Sequence, residues 1–192
     1  HNFIVMVEIV PGEAKPRVVR ELHADSADEH GKPIPFDATG RGYRKYSLIR
    51  SADGRGTHLY RASARHPKFV LFEGTRAEVE ERMIAAQETG EWISAKKFPY
   101  SPLGTNRNSA AYTMARAMGF DVTGQPIDSK SGRSLPAPGG GIDLTKGHAN
   151  APRKRYGEPQ RTFGYGDADK PRERPIPPDR EAPPYDGPEP PR

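Results

Sequence analysis

The chain has 192 residues and a net charge of +5, with 30 Lys and Arg against 25 Asp and Glu. It contains no cysteine, which excludes disulfides, thiolate metal sites and a cysteine nucleophile. No apolar run approaches the roughly 20 residues that span a bilayer. No signal peptide is recognisable, and the start at His1 rather than Met predicts processing or excision from a longer protein.

The prolines divide the chain into two parts. Eleven of the 21 prolines fall in residues 151–192, a segment that is also rich in charge and nearly free of aliphatic residues. Such a segment buries too little apolar surface to offset its ordering entropy. The sequence therefore predicts one domain over residues 1–150 and a disordered Pro-rich tail over residues 151–192.

The first two elements form a predicted β-hairpin. "HNFIVMVEI" (His1–Ile9) contains a continuous apolar run with β-branched residues, which predicts a buried strand. After the turn "VPGEAKP", the segment "RVVRELHA" (Arg17–Ala24) alternates like a second strand. Further strands are expected in "YRKYSLIR" (43–50), "THLYRAS" (57–63) and "KFVLFEG" (68–74).

A first helix is predicted to open at Thr75. "TRAE" is a capping box, in which Thr75 and Glu78 satisfy each other's backbone N–H groups. Apolar residues then recur at Val79, Met83 and Ala86, and Gly90 is expected to end the helix.

A second helix follows in "SPLGTNRNSAAYTMARAMGF" (101–120), with Asn108 or Ser109 as its expected cap. One apolar stripe runs along it, and Gly119 ends it; the stripe consists of Ala111, Met114, Ala115 and Met118. A turn-rich segment over 119–144 is expected to cover the body. The predicted fold is α+β, a small antiparallel sheet packed on two main helices.

Two histidines are predicted to meet beside the second helix. His1 opens the first strand and His23 closes the second, and these ends are adjacent in an antiparallel hairpin. A helix N-terminus carries unpaired N–H groups and a partial positive charge, so it stabilises an anion or an activated nucleophile. The candidate catalytic residues are therefore His1, His23 and Ser109. The plainer alternatives are that His23 is a polar strand end and that Asn106 and Asn108 are turn and cap residues.

The order of these elements resembles the circularly permuted papain-like superfamily, which includes lecithin retinol acyltransferase-like and PPPDE-like proteins. The similarity rests on a strand with a leading His, a strand ending in "ELH", a late helix opened by "N-x-N-S" and a Pro/Gly-rich covering segment, over about residues 1–145. The resemblance implies a permuted papain-like fold. It also implies that the middle residue of the N-x-N motif is the nucleophile and that the activity is cleavage of an amide, isopeptide or ester bond.

The sequence departs from that pattern at Arg107, which occupies the nucleophile position. Arginine stays protonated and cannot attack a carbonyl. Three outcomes follow: the site is catalytically dead and binds a partner or an anion, Ser109 replaces the nucleophile, or Arg107 clamps a carboxylate or phosphate. The binding residues of these alternatives are Asn106, Arg107 and Asn108.

The first functional hypothesis is accordingly a papain-like hydrolase or acyltransferase-type domain, either intact or degenerate, that acts on a protein, peptide or lipid substrate. It would suit a module of a larger bacterial secreted or toxin-like protein. The second is a catalytically silent domain that uses the 106–109 helix entrance for an anionic ligand or a partner protein, with the Pro-rich tail as a further partner site.

Nucleic-acid binding through "PRKRYG" (152–157) is the third and least favoured hypothesis. No cofactor is predicted, and no metal site either, since the other four histidines lack ligand spacing: His30, His58, His66 and His148.

Overall fold

The fold is known from a computed structural model. It describes residues 2–14, 16–28, 30, 32, 46–53, 70–101, 103–123, 139–152, 155–157 and 161–164. The elements in chain order are β1 (Ile4–Glu8), β2 (Arg17–Ala27), β3 (Tyr46–Asp53), α1 (Arg76–Lys96), α2 (Arg107–Ala117), β4 (Phe120–Thr123) and β5 (Arg161–Gly164). The α+β class, with a small antiparallel sheet and two helices, is confirmed.

The predicted hairpin is present and forms most of the first sheet. Strands β1 and β2 pair antiparallel, with Ile4 opposite Leu22, and β2 pairs antiparallel with β3, with His23 opposite Arg50. The sheet order is β1-β2-β3. The strand expected over 43–50 is thus present with later bounds, at Tyr46–Asp53. Because β2 lies between two strands, its side chains are held in a fixed register.

The helices pack on this sheet through apolar residues. The larger cluster brings together the sheet, α1, α2 and β4; its buried members include Ile4, Met6, Leu22, Met83, Ala86, Met114, Met118 and Phe120. A second cluster joins Ala24 of β2, Ile93 of α1 and Ala110 of α2. Every residue of α2 from Asn108 to Ala115 is buried, so α2 is the central helix of the body.

Helix α1 begins as predicted but ends later. Thr75 is its N-cap, and the capping box with Glu78 is formed. The expected end at Gly90 is wrong, because the helix continues to Lys96 and ends on Lys97 in the left-handed region, at φ 52°. The buried stripe explains this: it repeats at Met83, Ala86, Gly90 and Ile93, so tertiary packing holds the glycine inside the helix.

The strand predicted over 68–74 is also wrong for the part that the structure describes, since residues 70–74 belong to no strand. Phe72 instead packs its ring 6.2 Å from the ring of Phe120 and 4.3 Å from the guanidinium carbon of Arg82. Its apolar surface is thereby buried without strand pairing. The strand expected over 57–63 lies outside the described residues.

Some of the described residues beyond 150 contact the body. Strand β5 pairs in parallel with β4, with Phe120 opposite Arg161. Arg155 makes a two-oxygen salt bridge to Glu88 of α1, at 2.6 and 2.7 Å, and the Tyr156 ring lies 4.3 Å from Arg82. Residues 165–192 lie outside the described residues, so the tail there stays a prediction.

Residues 139–145, called the strap below, cross over α2. The Leu144 N–H donates to the Thr113 hydroxyl of α2 at 2.9 Å, and the side chain of Leu144 is buried in the second cluster. The strap therefore runs from the cap of α2, where Gly139 lies beside Asn106, to Thr113 further along that helix. Among the residues that the structure describes, no helix has both the length and the apolar character needed to cross a bilayer.

Candidate functional site

The start of α2 is built by a reciprocal cap. Asn106, not Asn108 or Ser109 as predicted, is the N-cap, with an extended backbone at φ −147°. Its Oδ1 accepts from the N–H groups of Asn108 and Ser109, at 2.8 and 3.3 Å. Arg107 is consequently the first helical residue, and its side chain leaves the helix at the positive end of the helix dipole.

Ser109 completes this cap. Its Oγ accepts from the Asn106 N–H and donates to the Asn106 carbonyl, both at 2.8 Å, and the residue is 0% exposed. The hydroxyl proton and one lone pair are therefore engaged with the backbone. For the Ser109 hydroxyl to attack a substrate, these bonds would have to break and the first turn of α2 would have to open. The two bonds are those of a helix cap, not those of an activated nucleophile.

Three polar side chains of β2 share one face, Glu21, His23 and Asp25, since alternate residues of a strand lie on the same side, and Glu21 is fully buried. His23 Nδ1 lies 3.6 Å from Asp25 Oδ2, and Arg107 Nε lies 3.9 Å from Asp25 Oδ1. Asp25 therefore stands between the imidazole and the guanidinium. All three side chains are largely shielded, with 9%, 22% and 24% of their surface exposed for His23, Asp25 and Arg107.

The first strand also reaches this point. The Asn2 N–H donates to Asn108 Oδ1 at 2.9 Å, so the chain segment leading into β1 is bound to the first turn of α2. His1 precedes Asn2 in the sequence but lies outside the described residues, and its predicted approach to His23 stays a prediction.

The local charge is set by few groups. The first turn of α2 contains no acidic residue, and Asp25 of β2 places a carboxylate 3.9 Å from Arg107 Nε. Arginine and a helix N-terminus both favour an anion. An imidazole beside a carboxylate is the pair that orients a general base. Within the described ranges, no three His, Asp or Glu side chains gather so as to hold a metal ion.

Of the predicted site residues, the structure brings together His23, Arg107, Asn106, Asn108 and Ser109, with the last three serving as cap and first-turn residues. Asp25 was missed. The signal that identifies it is the alternation of β2 beyond His23: once "RVVRELHA" is extended by "DSA", Asp25 falls on the same face as His23.

Comparisons with known proteins give no relative: no family model, no curated protein and no solved structure matches this chain.

Proposed function

We propose that this chain is a catalytically silent binding domain that takes an anionic group, such as a partner protein's carboxylate, at the start of α2. The observation that carries the proposal is the position of Arg107. It is the first residue of the helix, and its guanidinium lies beside Asp25, which in turn lies beside His23. Asn106 and Asn108 form the turn that presents it.

The papain-like resemblance supports this interpretation by analogy of position. In that arrangement a nucleophile at the start of the late helix faces a histidine from a neighbouring strand. Here the equivalent position holds a permanently charged guanidinium that has no nucleophilic lone pair. Such a site keeps the helix N-terminus and the neighbouring histidine that stabilise a thiolate or an oxyanion in the papain-like arrangement. The residue at the nucleophile position is a cation, so the site would bind an anion and would not attack a carbonyl.

The chemistry of the three groups favours an anionic ligand. A guanidinium binds a carboxylate or a phosphate through two parallel N–H···O bonds, and the N–H groups of the first turn add favourable dipoles. Arg107 Nε lies 3.9 Å from Asp25 Oδ1, so this contact is an ion pair without a hydrogen bond between those two atoms.

Binding is tested with acetate and inorganic phosphate as probes, by NMR titration of the Arg107 Nε–H and His23 ring signals. We expect saturable shifts at both residues and their loss in Arg107→Gln. Arg76→Gln is the matched control, because Arg76 is the first residue of α1 and is exposed. Equal responses of Arg107 and Arg76, or a response without saturation, would show only general ion screening and would contradict the proposal.

The premise about position 107 has a separate test, the thiol pKa of Arg107→Cys from the pH dependence of iodoacetamide alkylation. A helix N-terminus together with a neighbouring imidazole lowers a thiol pKa from about 8.5, to about 7.5 or below in known sites. We expect Arg107→Cys to have a lower thiol pKa than Arg76→Cys, which shares the helix position. We also expect His23→Gln to raise it. Equal thiol pKa values at the two positions would remove the papain-like interpretation.

The second candidate function is the hydrolase or acyltransferase itself, favoured by the pairing of His23 with Asp25. It requires Ser109 as the nucleophile, since Arg107 cannot act as one. A fluorophosphonate probe would then label Ser109 in the native chain, and His23→Gln would abolish the labelling. Absence of labelling under conditions that label a serine hydrolase supports the silent domain.

A further inference from the structure

The strap begins in close contact with the cap of α2. Gly139 lies there with φ +78°, and a Cβ added to it would stand 2.2 Å from the Gly104 carbonyl oxygen. The same Cβ would stand 3.0 and 3.1 Å from the two terminal atoms of the Asn106 side chain. Two backbones therefore cross at residues 104 and 139 without room for a side chain, directly over the residue that caps the helix.

The remainder of the strap is fixed to the same helix further along. The Thr113 hydroxyl accepts from the Leu144 N–H at 2.9 Å and faces the Ile142 carbonyl at 3.4 Å. Arg116 Nε lies 3.2 Å from Asp143 Oδ2. The strap thus contacts α2 at its N-cap and again at its second and third turns, so a displacement at one contact is transmitted through a short segment that is anchored at both ends.

We propose that Gly139 is a positioning residue for the candidate site, and that the strap regulates ligand binding there by holding Asn106 in its cap. The inference rests on the proposed function, since it concerns the same site. The Asn106 side chain is confined between Gly139 and the two N–H groups that it caps. A Cβ at 139 would stand 2.2 Å from the Gly104 carbonyl oxygen, so the two backbones must separate there, and the Asn106 side chain must shift by a few tenths of an ångström as well. That shift moves Asn106 relative to the N–H groups that it caps and so affects Arg107, the next residue. By linkage, a ligand bound at Arg107 stabilises the docked strap to the same extent that the docked strap favours the ligand.

The test measures the thiol pKa of Arg107→Cys with and without Gly139→Ala. We expect Gly139→Ala to raise that pKa by about half a unit or more, toward the ordinary value of about 8.5, because the first turn loses its alignment. Gly147→Ala is the matched control. Gly147 has a similar φ of +81° but has nothing within 4 Å of its would-be Cβ, so it carries the backbone strain without the crowding. It should leave the thiol pKa unchanged.

A milder variant covers the case in which Gly139→Ala does not fold, as judged by near-UV circular dichroism. Thr113→Val removes the hydroxyl that holds Leu144 and leaves Gly139 in place, and it should shift the thiol pKa in the same direction by a smaller amount.

The outcomes separate the two proposals. A thiol pKa for Arg107→Cys equal to that of Arg76→Cys overturns the proposed function and this inference with it. A lowered thiol pKa that Gly139→Ala and Thr113→Val leave unmoved, or that Gly147→Ala shifts equally, overturns only the role of the strap.

Discussion

Asn106 makes the hydrogen bonds that form the cap of α2. Its side chain accepts from two backbone N–H groups, and its own backbone N–H and carbonyl are both bound by Ser109. The residue is 3% exposed, so no solvent can replace these bonds when they are lost. Ser109 takes part in all but one of these four bonds, so a serine at 109 is accounted for by the cap alone.

At the residue scale we therefore expect Asn106→Ala to lower the free energy of unfolding by about 1–2 kcal/mol. Thr75→Ala, at the exposed cap of α1, should cost less, about 0.5–1 kcal/mol, because water can reach the freed N–H groups. Urea denaturation of both variants measures the two values. If Asn106→Ala lowers the free energy of unfolding no more than Thr75→Ala does, burial does not strengthen the cap at Asn106.

Tyr112 gives a pH-dependent prediction. Burial, followed by the hydrogen bond that its hydroxyl donates to Asp121 at 2.7 Å, raises the pKa of Tyr112 above its ordinary value of 10.0. The folded state therefore holds this proton more tightly than the unfolded chain. The resulting stability is fully present below pH 10 and is lost as the pH rises through the folded-state pKa.

Tyr112→Phe should consequently have a free energy of unfolding that declines less steeply above pH 10 than that of the native chain. Tyr156, whose pKa is also raised, mainly by burial, contributes the same background to both proteins. Urea denaturation at a series of pH values from 8 upward measures the difference. Parallel declines for the two proteins would show that folding does not raise the pKa of Tyr112.

At the scale of elements, the sequence predicts those that are set by local pattern. The hairpin follows from an apolar run, a Pro-Gly turn and an alternating segment, and the start of α1 follows from its capping box. The end of α1 cannot be predicted in this way. Glycine favours the end of a helix, but burial of Ile93, beyond Gly90, keeps the helix continuous through that position. Residues 70–74 are the converse case: their sequence is typical of a strand, but no strand pairs with them among the residues that the structure describes.

The connection between α1 and the end of the body depends on Arg82. Its guanidinium carbon lies 4.3 Å from the ring centres of Phe72 and Tyr156 and 5.0 Å from that of Phe120, and it donates to the Met118 carbonyl that ends α2. One charged group thereby joins three segments that are distant in sequence. Arg155, in contrast, pairs with Glu88 where both side chains are more than 40% exposed.

We expect Arg82→Lys to lower the free energy of unfolding by about 1–3 kcal/mol, since an ammonium cannot stack between two rings and also reach the carbonyl in the same way. Arg155→Gln should cost less than about 1 kcal/mol, because an exposed ion pair is screened by solvent. Denaturation of both variants at two salt concentrations distinguishes them. Similar losses that both fade with salt would contradict the stacking argument.

At the scale of the whole molecule, the least predictable feature is the pairing of β4 with β5. Each strand has four residues, too few for alternation to identify it, and they are separated by the strap and the segment that follows it. Composition assigns β5 to the tail because its surroundings are rich in Pro and charge. The site is predictable in the same degree: its helix and histidine follow from local pattern, whereas the contact of Asp25 with Arg107 depends on how the sheet meets α2.

A chain that ends at residue 164 should therefore behave like the full 192-residue chain, whereas one that ends at residue 150 should not. The shorter chain loses Tyr156 from Arg82 and β5 from β4, and we expect its thermal midpoint to fall by about 5 °C or more. Differential scanning calorimetry of the three chains tests this. Equal thermal midpoints for the chains ending at 150 and 164 would support the domain boundary at residue 150 that composition predicts.

The parallel pairing also dictates an order of events during biosynthesis. While the ribosome is still translating the strap, the hydrogen-bonding edge of β4 has no β5 to receive it. The nascent chain therefore passes through a stage in which the hairpin and both helices are available but β4 is uncovered, and such a stage is vulnerable to aggregation. A chaperone that engages this protein at the exit tunnel would be most useful during that interval.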